Sequence, residues 1–160
     1  MLLYRIARTA RVRDLSGTGA KLYGGRWNRK GTAVVYASET RALATVEFLV
    51  HVPMALTPAH YSLASIEVPD GERVEEVRAA DLPRNWRTFP APDRLGVLGT
   101  RWALACSSLL LRVPSVVVEH EYNVLINPAH RAMDKVRILS TEPYRFDPQL
   151  IRPKGAGGRA

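Results

Sequence analysis

The stretch AVVYASET at residues 33–40 marks the change from a strand to a helix that organises the predicted fold. The β-branched and aromatic residues of its first part favour a strand, and the hydroxyl residues that follow are typical of a helix N-cap. Apolar side chains then recur at helical spacing between Leu43 and Val50, and Pro53 cannot continue a helix. The sequence therefore predicts a strand at 33–37 and a helix from Thr40 to His51.

On both sides of this unit, short apolar stretches are separated by turn-forming residues. A second, buried helix is predicted where apolar side chains recur at helical intervals from Leu98 to Leu109. Strands and helices do not alternate regularly, which favours an α+β domain with a mixed sheet over a doubly wound fold. This second helix is predicted at 96–111. The other predicted elements are strands at 2–6, 61–68, 113–118, 122–126 and 136–139 and irregular segments at 14–31 and 81–92.

The composition indicates one basic globular domain. The chain has 160 residues, of which 46% are hydrophobic, so it can form one core but is short for two domains. Its formal net charge of +8 favours an anionic partner: a nucleic acid, a phosphate-bearing small molecule or an acidic protein. We expect a folded domain at 1–150 and a disordered, basic, glycine-rich tail at 151–160.

The sequence carries no mark of a membrane, an export route or a metal site. No apolar stretch approaches the roughly 20 residues of a membrane span, and the first residues lack the pattern of a signal peptide. The single cysteine, Cys106, has no Cys or His neighbours at zinc-ligand spacing and is expected to be a small core residue. The four histidines are scattered and are expected at the surface or in caps. We therefore expect a cytoplasmic protein without a bound metal.

The glycine-rich, basic segment GGRWNRKG at residues 24–31 is the first candidate for chemistry. Its glycines would let the backbone approach a ligand closely, and Arg26 could hold phosphate oxygen atoms. The spacing matches neither a Walker loop nor a dinucleotide fingerprint. A plain hairpin or surface loop is the simpler interpretation of the segment on its own.

Three further candidate residues carry a polar group in surroundings that are predicted to be apolar. Glu47 lies next to the apolar stripe of the predicted helix, where it is either an active-site carboxylate or the partner of an arginine in a salt bridge. Tyr36, at the end of a strand, is either a core aromatic or a platform for a ligand. Ser115 lies in an apolar strand, where a backbone hydrogen bond would satisfy its hydroxyl, and no serine-hydrolase motif surrounds it.

Several short motifs follow one another in a fixed order over about residues 1–145. They are Tyr4-Arg5, Gly17-x-Gly19-Ala20, Gly24-Gly25-Arg26-Trp27-Asn28, Val35-Tyr36-Ala37-Ser38, Ala44-x-x-Glu47, Pro114-Ser115 and Asn123-x-Leu125-x-Asn127-Pro128. Together they resemble the RES-domain family, the toxins of bacterial Res–Xre toxin–antitoxin modules.

This resemblance implies a fold similar to that of ADP-ribosyltransferases: one α+β domain with a split mixed sheet and an NAD-binding cleft. It implies cleavage of the nicotinamide–ribose bond of NAD by water or, in some members, by inorganic phosphate as co-substrate, so that NAD is depleted and growth stops. NAD is then the substrate, and no other cofactor is implied.

The resemblance also assigns the site residues. The family's arginine falls on Arg26, its tyrosine on Tyr36, its glutamate on Glu47 and its serine on Ser115, with Arg5 a further arginine in the cleft. A fixed carboxylate stabilises the oxocarbenium character of the reacting ribose, and arginines hold pyrophosphate. Tyr36 would stack on nicotinamide, and Ser115 would orient the ribose or the amide.

The implied partner is an Xre-type antitoxin with a helix-turn-helix DNA-binding domain. It would form a hetero-oligomer with the toxin, block the cleft and bring the complex to operator DNA. Two alternatives remain open at this point. One is transfer of ADP-ribose to a protein or nucleic acid, and the other is a basic nucleic-acid-binding module, suggested by the net charge and the basic tail.

Overall fold

Three α-helices and a seven-stranded sheet make up the part of the chain that the computed structural model describes, residues 1–51 and 60–150. The strands are β1 (Leu2–Arg8), β2 (Val35–Ser38), β3 (Tyr61–Glu67), β4 (Val74–Glu76), β5 (Leu110–Pro114), β6 (Tyr122–Ile126) and β7 (Arg137–Pro143). The helices are α1 (Thr18–Tyr23), α2 (Arg41–Leu49) and α3 (Asp93–Ala105).

The strands form one mixed sheet in the order β4-β5-β6-β2-β1-β3-β7. The pair β4 and β5 is parallel, and the other neighbours are antiparallel. The register that joins β1 to β2 contains one residue pair, Tyr4 with Ser38, whereas β1 and β3 are paired from Leu2 to Arg8. The sheet is therefore split at its centre, as expected from the family resemblance.

Two hydrophobic cores hold the sheet. The first consists of aliphatic side chains, among them Leu3, Ile66 and Ile126, all with 0% of their surface exposed. The second gathers Trp27, Trp86 and Trp102 with the apolar residues of α3 and of the strands β5 and β6. The tryptophan core attaches the loop before β2 to α3, which matters for the site described below.

The strand-to-helix unit at 33–51 is confirmed. Strand β2 covers Val35–Ser38, and α2 begins after Thr40, whose hydroxyl accepts a hydrogen bond from the backbone N–H of Leu43. The strands predicted at 2–6, 61–68 and 122–126 are also present, each within two residues of its predicted bounds. The last strand is longer than predicted and reaches Pro143.

The structure departs from the sequence predictions at five places. The segment 14–31 contains the helix α1, which ends where Gly24 (φ 73°) donates its N–H to the carbonyl of Ala20, and β4 was not predicted. The second helix ends at Ala105, and the apolar run that follows belongs to β5, which ends before Ser115. Cys106 is exposed, because it lies just beyond α3 with a left-handed backbone (φ 48°) instead of on the buried face of the helix.

Other expectations concern the surface and the end of the chain. His51, His60 and His120 are exposed, and His130 caps a turn by accepting the N–H of Ala132. The tail at 151–160 lies outside the described residues, so the disorder and the role of this basic segment stay predictions. None of the helices in the described ranges has the length and apolar character needed to cross a membrane.

Candidate functional site

A cleft of about 510 Å³ opens where the sheet is split. One wall consists of α1 and the loop Gly24–Gly31, which we call the loop wall. The opposite wall consists of α2 with the ends of β5 and β6, and we call it the carboxylate wall because it carries Glu47. Strands β1 and β2 form the floor with Arg5 and Tyr36, so the cleft brings four of the five predicted site residues to its surface.

Glu47 is half-buried on the cleft side of α2 and is fixed through one oxygen. Its Oε1 accepts hydrogen bonds from the Ser115 hydroxyl (2.7 Å) and from the Asn123 amide nitrogen (2.6 Å). Within the described residues, its second oxygen Oε2 has no hydrogen-bond partner. Among the described residues, its hydrogen-bond partners are these two neutral groups and no arginine forms a salt bridge with it, so this part of the chain does not show the salt-bridge alternative. The carboxylate is thus positioned by the protein and has an oxygen available to a ligand.

Ser115 lies behind Glu47. Its side chain is buried, with 2% of its surface exposed, while the neighbouring Pro114 and Val116 line the cleft. The Ser115 hydroxyl oxygen accepts the backbone N–H groups of Val117 (3.1 Å) and Val118 (3.0 Å), which leaves its own proton for Glu47. Ser115 thus contacts the carboxylate directly and is not among the residues that line the cleft, and its orientation of the ribose or the amide stays a prediction.

The loop wall is a tight turn built around Asn28. Gly25 and Asn28 form an antiparallel bridge, which places Arg26 and Trp27 at the turn. The buried amide nitrogen of Asn28 donates to three backbone carbonyls, those of Ala20, Arg29 and Thr32. Because a Cβ on Gly25 would lie 2.6 Å from the Tyr36 hydroxyl, the turn needs glycine at this position. The segment is a hairpin, as its simpler interpretation suggested, and it also lines the cleft.

Tyr36 joins the loop wall to the sheet. Its hydroxyl donates to Asn28 Oδ1 (2.7 Å) and accepts the backbone N–H of Trp27 (3.1 Å). Burial raises the pKa of Tyr36 well above its ordinary value, so the phenol is neutral and can act as a donor. Tyr36 packs against the tryptophan core, as a core aromatic does, and it also lines the cleft. Its role as a platform for a ligand stays a prediction.

The two predicted arginines are anchored to backbone carbonyls. Arg26 donates from Nη1 to the carbonyl of Trp86 (2.7 Å) and from Nη2 to that of Thr88 (3.1 Å). Arg5 donates from Nη1 to the carbonyl of Asp14 (2.5 Å). A guanidinium group has five N–H donors, so each arginine retains donors for an anion.

Charge and burial oppose each other at these arginines. Burial lowers the pKa of Arg5, and the charge of Asp14 counteracts that shift. Burial also lowers the pKa of Arg26, and the negative charge of Glu47 counteracts it. Both groups remain cationic at neutral pH because arginine starts from a pKa above 12. A cleft with two partly desolvated cations and one carboxylate fits an anionic ligand that carries a cationic part.

Sequence reasoning missed two residues of the site, Asn123 and Ser38. Asn123 was quoted only as part of a family motif and given no role, yet its side-chain amide nitrogen binds Glu47, and its side-chain oxygen accepts the Ser38 hydroxyl (2.7 Å). No local pattern could have shown this contact, because Glu47 and Asn123 are 76 positions apart. The described residues contain no group of three or more His, Cys, Asp or Glu that could hold a metal ion.

Comparison with a solved structure identifies the class of fold. The chain superposes with a TM-score of 0.72 on a chain of the crystal structure of the M. tuberculosis MbcT–MbcA toxin–antitoxin complex, covering 94% of this chain and 86% of that one. The sequence identity is 17%, so this similarity shows the fold alone.

The sequence comparisons identify the family. The family model described as "RES domain" matches residues 2–147, and the chain belongs to this family. It is 42% identical over 148 residues to "Prs ADP-ribosylating toxin" of Sphingobium sp. (strain YBL2), covering 91% of this chain and 92% of that protein. It is 40% identical over 153 residues to "Toxin Res" of Yersinia enterocolitica, covering 94% and 99%. The resemblance seen in the motifs is confirmed, and these relatives place the chain among the toxins of the RES family.

Proposed function

We propose that this protein is a toxin that cleaves the nicotinamide–ribose bond of NAD. The observation that carries the proposal is the anchored carboxylate of Glu47, which has an oxygen available in a cleft that also contains Arg5 and Arg26. NAD combines an anionic pyrophosphate with a cationic nicotinamide, and it matches both signs of charge in the cleft.

Cleavage of the bond between ribose and nicotinamide needs little acid catalysis, because nicotinamide leaves as a neutral molecule. When the bond between ribose C1 and the nicotinamide nitrogen breaks, the electron pair leaves with the nitrogen and neutralises its positive charge. The ribose develops oxocarbenium character, and a carboxylate beside it stabilises that charge. Water then adds to C1 and loses a proton to give ADP-ribose. If inorganic phosphate adds instead, the product is ADP-ribose phosphorylated at C1.

The surrounding residues would bind and orient the substrate. Arg5 and Arg26 would hold the pyrophosphate with their remaining N–H donors, and the Tyr36 ring would stack on nicotinamide. The hydroxyl of Ser115 would act through Glu47, which it contacts directly. In this proposal the protein needs no cofactor beyond NAD as substrate, with inorganic phosphate as a second substrate in the phosphorolytic case.

The proposal includes an antitoxin. Relatives named as toxins and a similar fold in a solved toxin–antitoxin complex support a protein partner that covers the cleft. We propose an Xre-type antitoxin with a helix-turn-helix domain, which forms a hetero-oligomer with this chain in the cytoplasm and brings it to operator DNA. The surplus of cationic residues in this chain suits an acidic segment of such a partner.

The experiment is to incubate the purified chain with NAD, with and without inorganic phosphate, and to measure nicotinamide and the ribosyl product by chromatography and mass spectrometry. We expect nicotinamide release by the wild type and a loss of about a thousandfold or more in E47Q, which removes the charge and preserves the shape. Equal rates in wild type and folded E47Q would contradict the role of the carboxylate. The mass of the product would identify water or phosphate as the acceptor.

A second candidate is transfer of ADP-ribose to a macromolecule. The relative named "Prs ADP-ribosylating toxin", at 42% identity, favours it specifically. This transfer reaction uses the same bond cleavage as the first candidate and differs only in the nucleophile that adds to ribose C1. Wild-type protein incubated with labelled NAD and bacterial lysate would transfer the label to protein or nucleic acid, and E47Q would not. A label that appears only in small molecules would reject this candidate.

A further inference from the structure

Glu47 is held at the end of a chain of hydrogen bonds that begins at the central split of the sheet. Ser38 lies opposite Asn123 in the register of β2 and β6, and it is also the residue that pairs with Tyr4 across the split. Directly opposed residues on antiparallel strands have side chains on the same face. The Ser38 hydroxyl donates to Asn123 Oδ1 (2.7 Å), and Asn123 Nδ2 donates to Glu47 Oε1 (2.6 Å).

We propose that Asn123, oriented by Ser38, is a positioning residue that holds Glu47 with Oε2 directed at the substrate. This inference rests on the proposed function and concerns the same site. Asn123 itself does not need to touch the reacting atoms, because its effect passes through Glu47.

The argument for a fixed orientation comes from the direction of each hydrogen bond. The Ser115 hydroxyl already accepts two backbone N–H groups, so its proton points to Glu47 Oε1. The Ser38 hydroxyl donates to Asn123 Oδ1, and this fixes the amide so that its NH₂ group faces the same oxygen. Two donors directed at Oε1 fix the orientation of the carboxyl group and leave Oε2 for the ligand.

An asparagine is better suited to position 123 than aspartate, its nearest isostere. An aspartate at position 123 would place a second negative charge beside Glu47 and would remove the donor. Like charges in one site disfavour ionisation of both, so the protonated form of Glu47 would persist to higher pH. The other titratable groups that line the cleft are Tyr4, Arg5, Tyr23, Arg26, Tyr36 and His51, and they are unchanged in such a variant.

The test compares steady-state nicotinamide release from NAD by the full chain and its variants over a range of pH. In N123A, we expect kcat to fall about tenfold to a hundredfold, the effect of losing one hydrogen bond to a charged group, with KM nearly unchanged. In N123D, we expect the acid limb of the pH–rate profile to move to higher pH. S38A should lower kcat less than N123A does, and S38T, which restores the hydroxyl, should recover it.

T45V is the matched control. Thr45 is buried on the same helix as Glu47, but its hydroxyl bonds to the Arg41 carbonyl and the Tyr144 hydroxyl, away from this network. We expect kcat and the pH profile of T45V to equal those of the wild type. Wild-type kcat in folded N123A, or an unmoved acid limb in N123D, would overturn the inference while the proposed function stands.

A separate readout covers the case in which the wild type releases no nicotinamide and the proposed function fails. The carboxyl signal of Glu47 can be followed by carbon-13 NMR and assigned by its absence in E47Q. We expect it to titrate at higher pH in N123D than in the wild type and T45V. The same titration in all three proteins would overturn the positioning role independently of any activity.

Discussion

The loop wall and the carboxylate wall of the cleft both carry dense hydrogen bonding, but they differ in what remains available to a ligand. On the loop wall, the Asn28 amide donates to three carbonyls, and its oxygen accepts the Tyr36 hydroxyl. On the carboxylate wall, one oxygen of Glu47 has two donors, and the other has no partner among the described residues. The first arrangement stabilises a loop, and the second presents a charge.

The largest expected effect on stability tests how the loop wall is attached to the rest of the protein. An added Cβ at Gly99 of α3 would lie 1.8 Å from the carbonyl oxygen of Trp27, a backbone atom that cannot move alone. We expect G99A to lower the free energy of unfolding by about 3 kcal/mol, measured by urea denaturation. G96A is the control on the same helix, since its Cβ would meet ordinary contacts of 3.5 Å or more, and alanine favours a helix. Equal stability of the two variants would contradict this attachment.

The second prediction separates the two walls directly. N28A leaves the Thr32 carbonyl without the Asn28 donor, removes one of two donors from the carbonyls of Ala20 and Arg29, and leaves the Tyr36 hydroxyl proton without its acceptor. We expect it to cost about 2 kcal/mol or more in the free energy of unfolding. E47Q keeps the shape of the side chain, so its stability should remain within about 1 kcal/mol of the wild type while its activity is lost. Thermal or urea denaturation of both variants checks the contrast. If E47Q proved the less stable of the two, the functional interpretation of the carboxylate wall would lose its basis.

The smallest expected effect concerns Tyr36, which lies on the floor of the cleft and binds the loop wall through its hydroxyl. Y36F removes the hydrogen bonds to Asn28 and Trp27 and should cost about 1 kcal/mol at neutral pH. The pKa of Tyr36 is raised by burial, so its contribution is complete below the ordinary tyrosine pKa of about 10 and is lost as the pH rises beyond it. The wild type should therefore lose stability above pH 10 more steeply than Y36F, by up to about 1.4 kcal/mol per pH unit. Parallel curves of unfolding free energy against pH would contradict the buried, neutral phenol.

Much of the fold could be predicted because its signals are local. The cap at Thr40, the apolar spacing of α2 and the β-branched run of β2 each depend on a few neighbouring residues. The errors occur where a local pattern continues across a boundary. Only Cys106, Ser107 and Ser108 separate α3 from the apolar residues that lead into β5, and this short segment contains no glycine or proline to mark the end of the helix. The glycines around α1 are typical of a loop although the helix forms between them.

The site was predicted in part, because some of its signals are also local. Glu47, Arg26, Tyr36 and Ser115 were singled out from their local sequence, and the family resemblance added Arg5 and the role of each residue. Their partners are set by pairing between distant segments: Arg26 is held by carbonyls about 60 positions away. Only the folded sheet shows that Ser115 and Asn123 meet at one oxygen of Glu47.

The split between β1 and β2 has a consequence for solubility. Where two strands diverge, the backbone N–H and C=O groups on their facing sides lack each other as partners, which in an ordinary sheet happens only at the outermost strands. Outer edges invite pairing with other chains and can seed aggregation. Here the two facing edges lie in the middle of the sheet, between β6 and β3, so each diverging strand is paired on its other side and neither is an outermost strand.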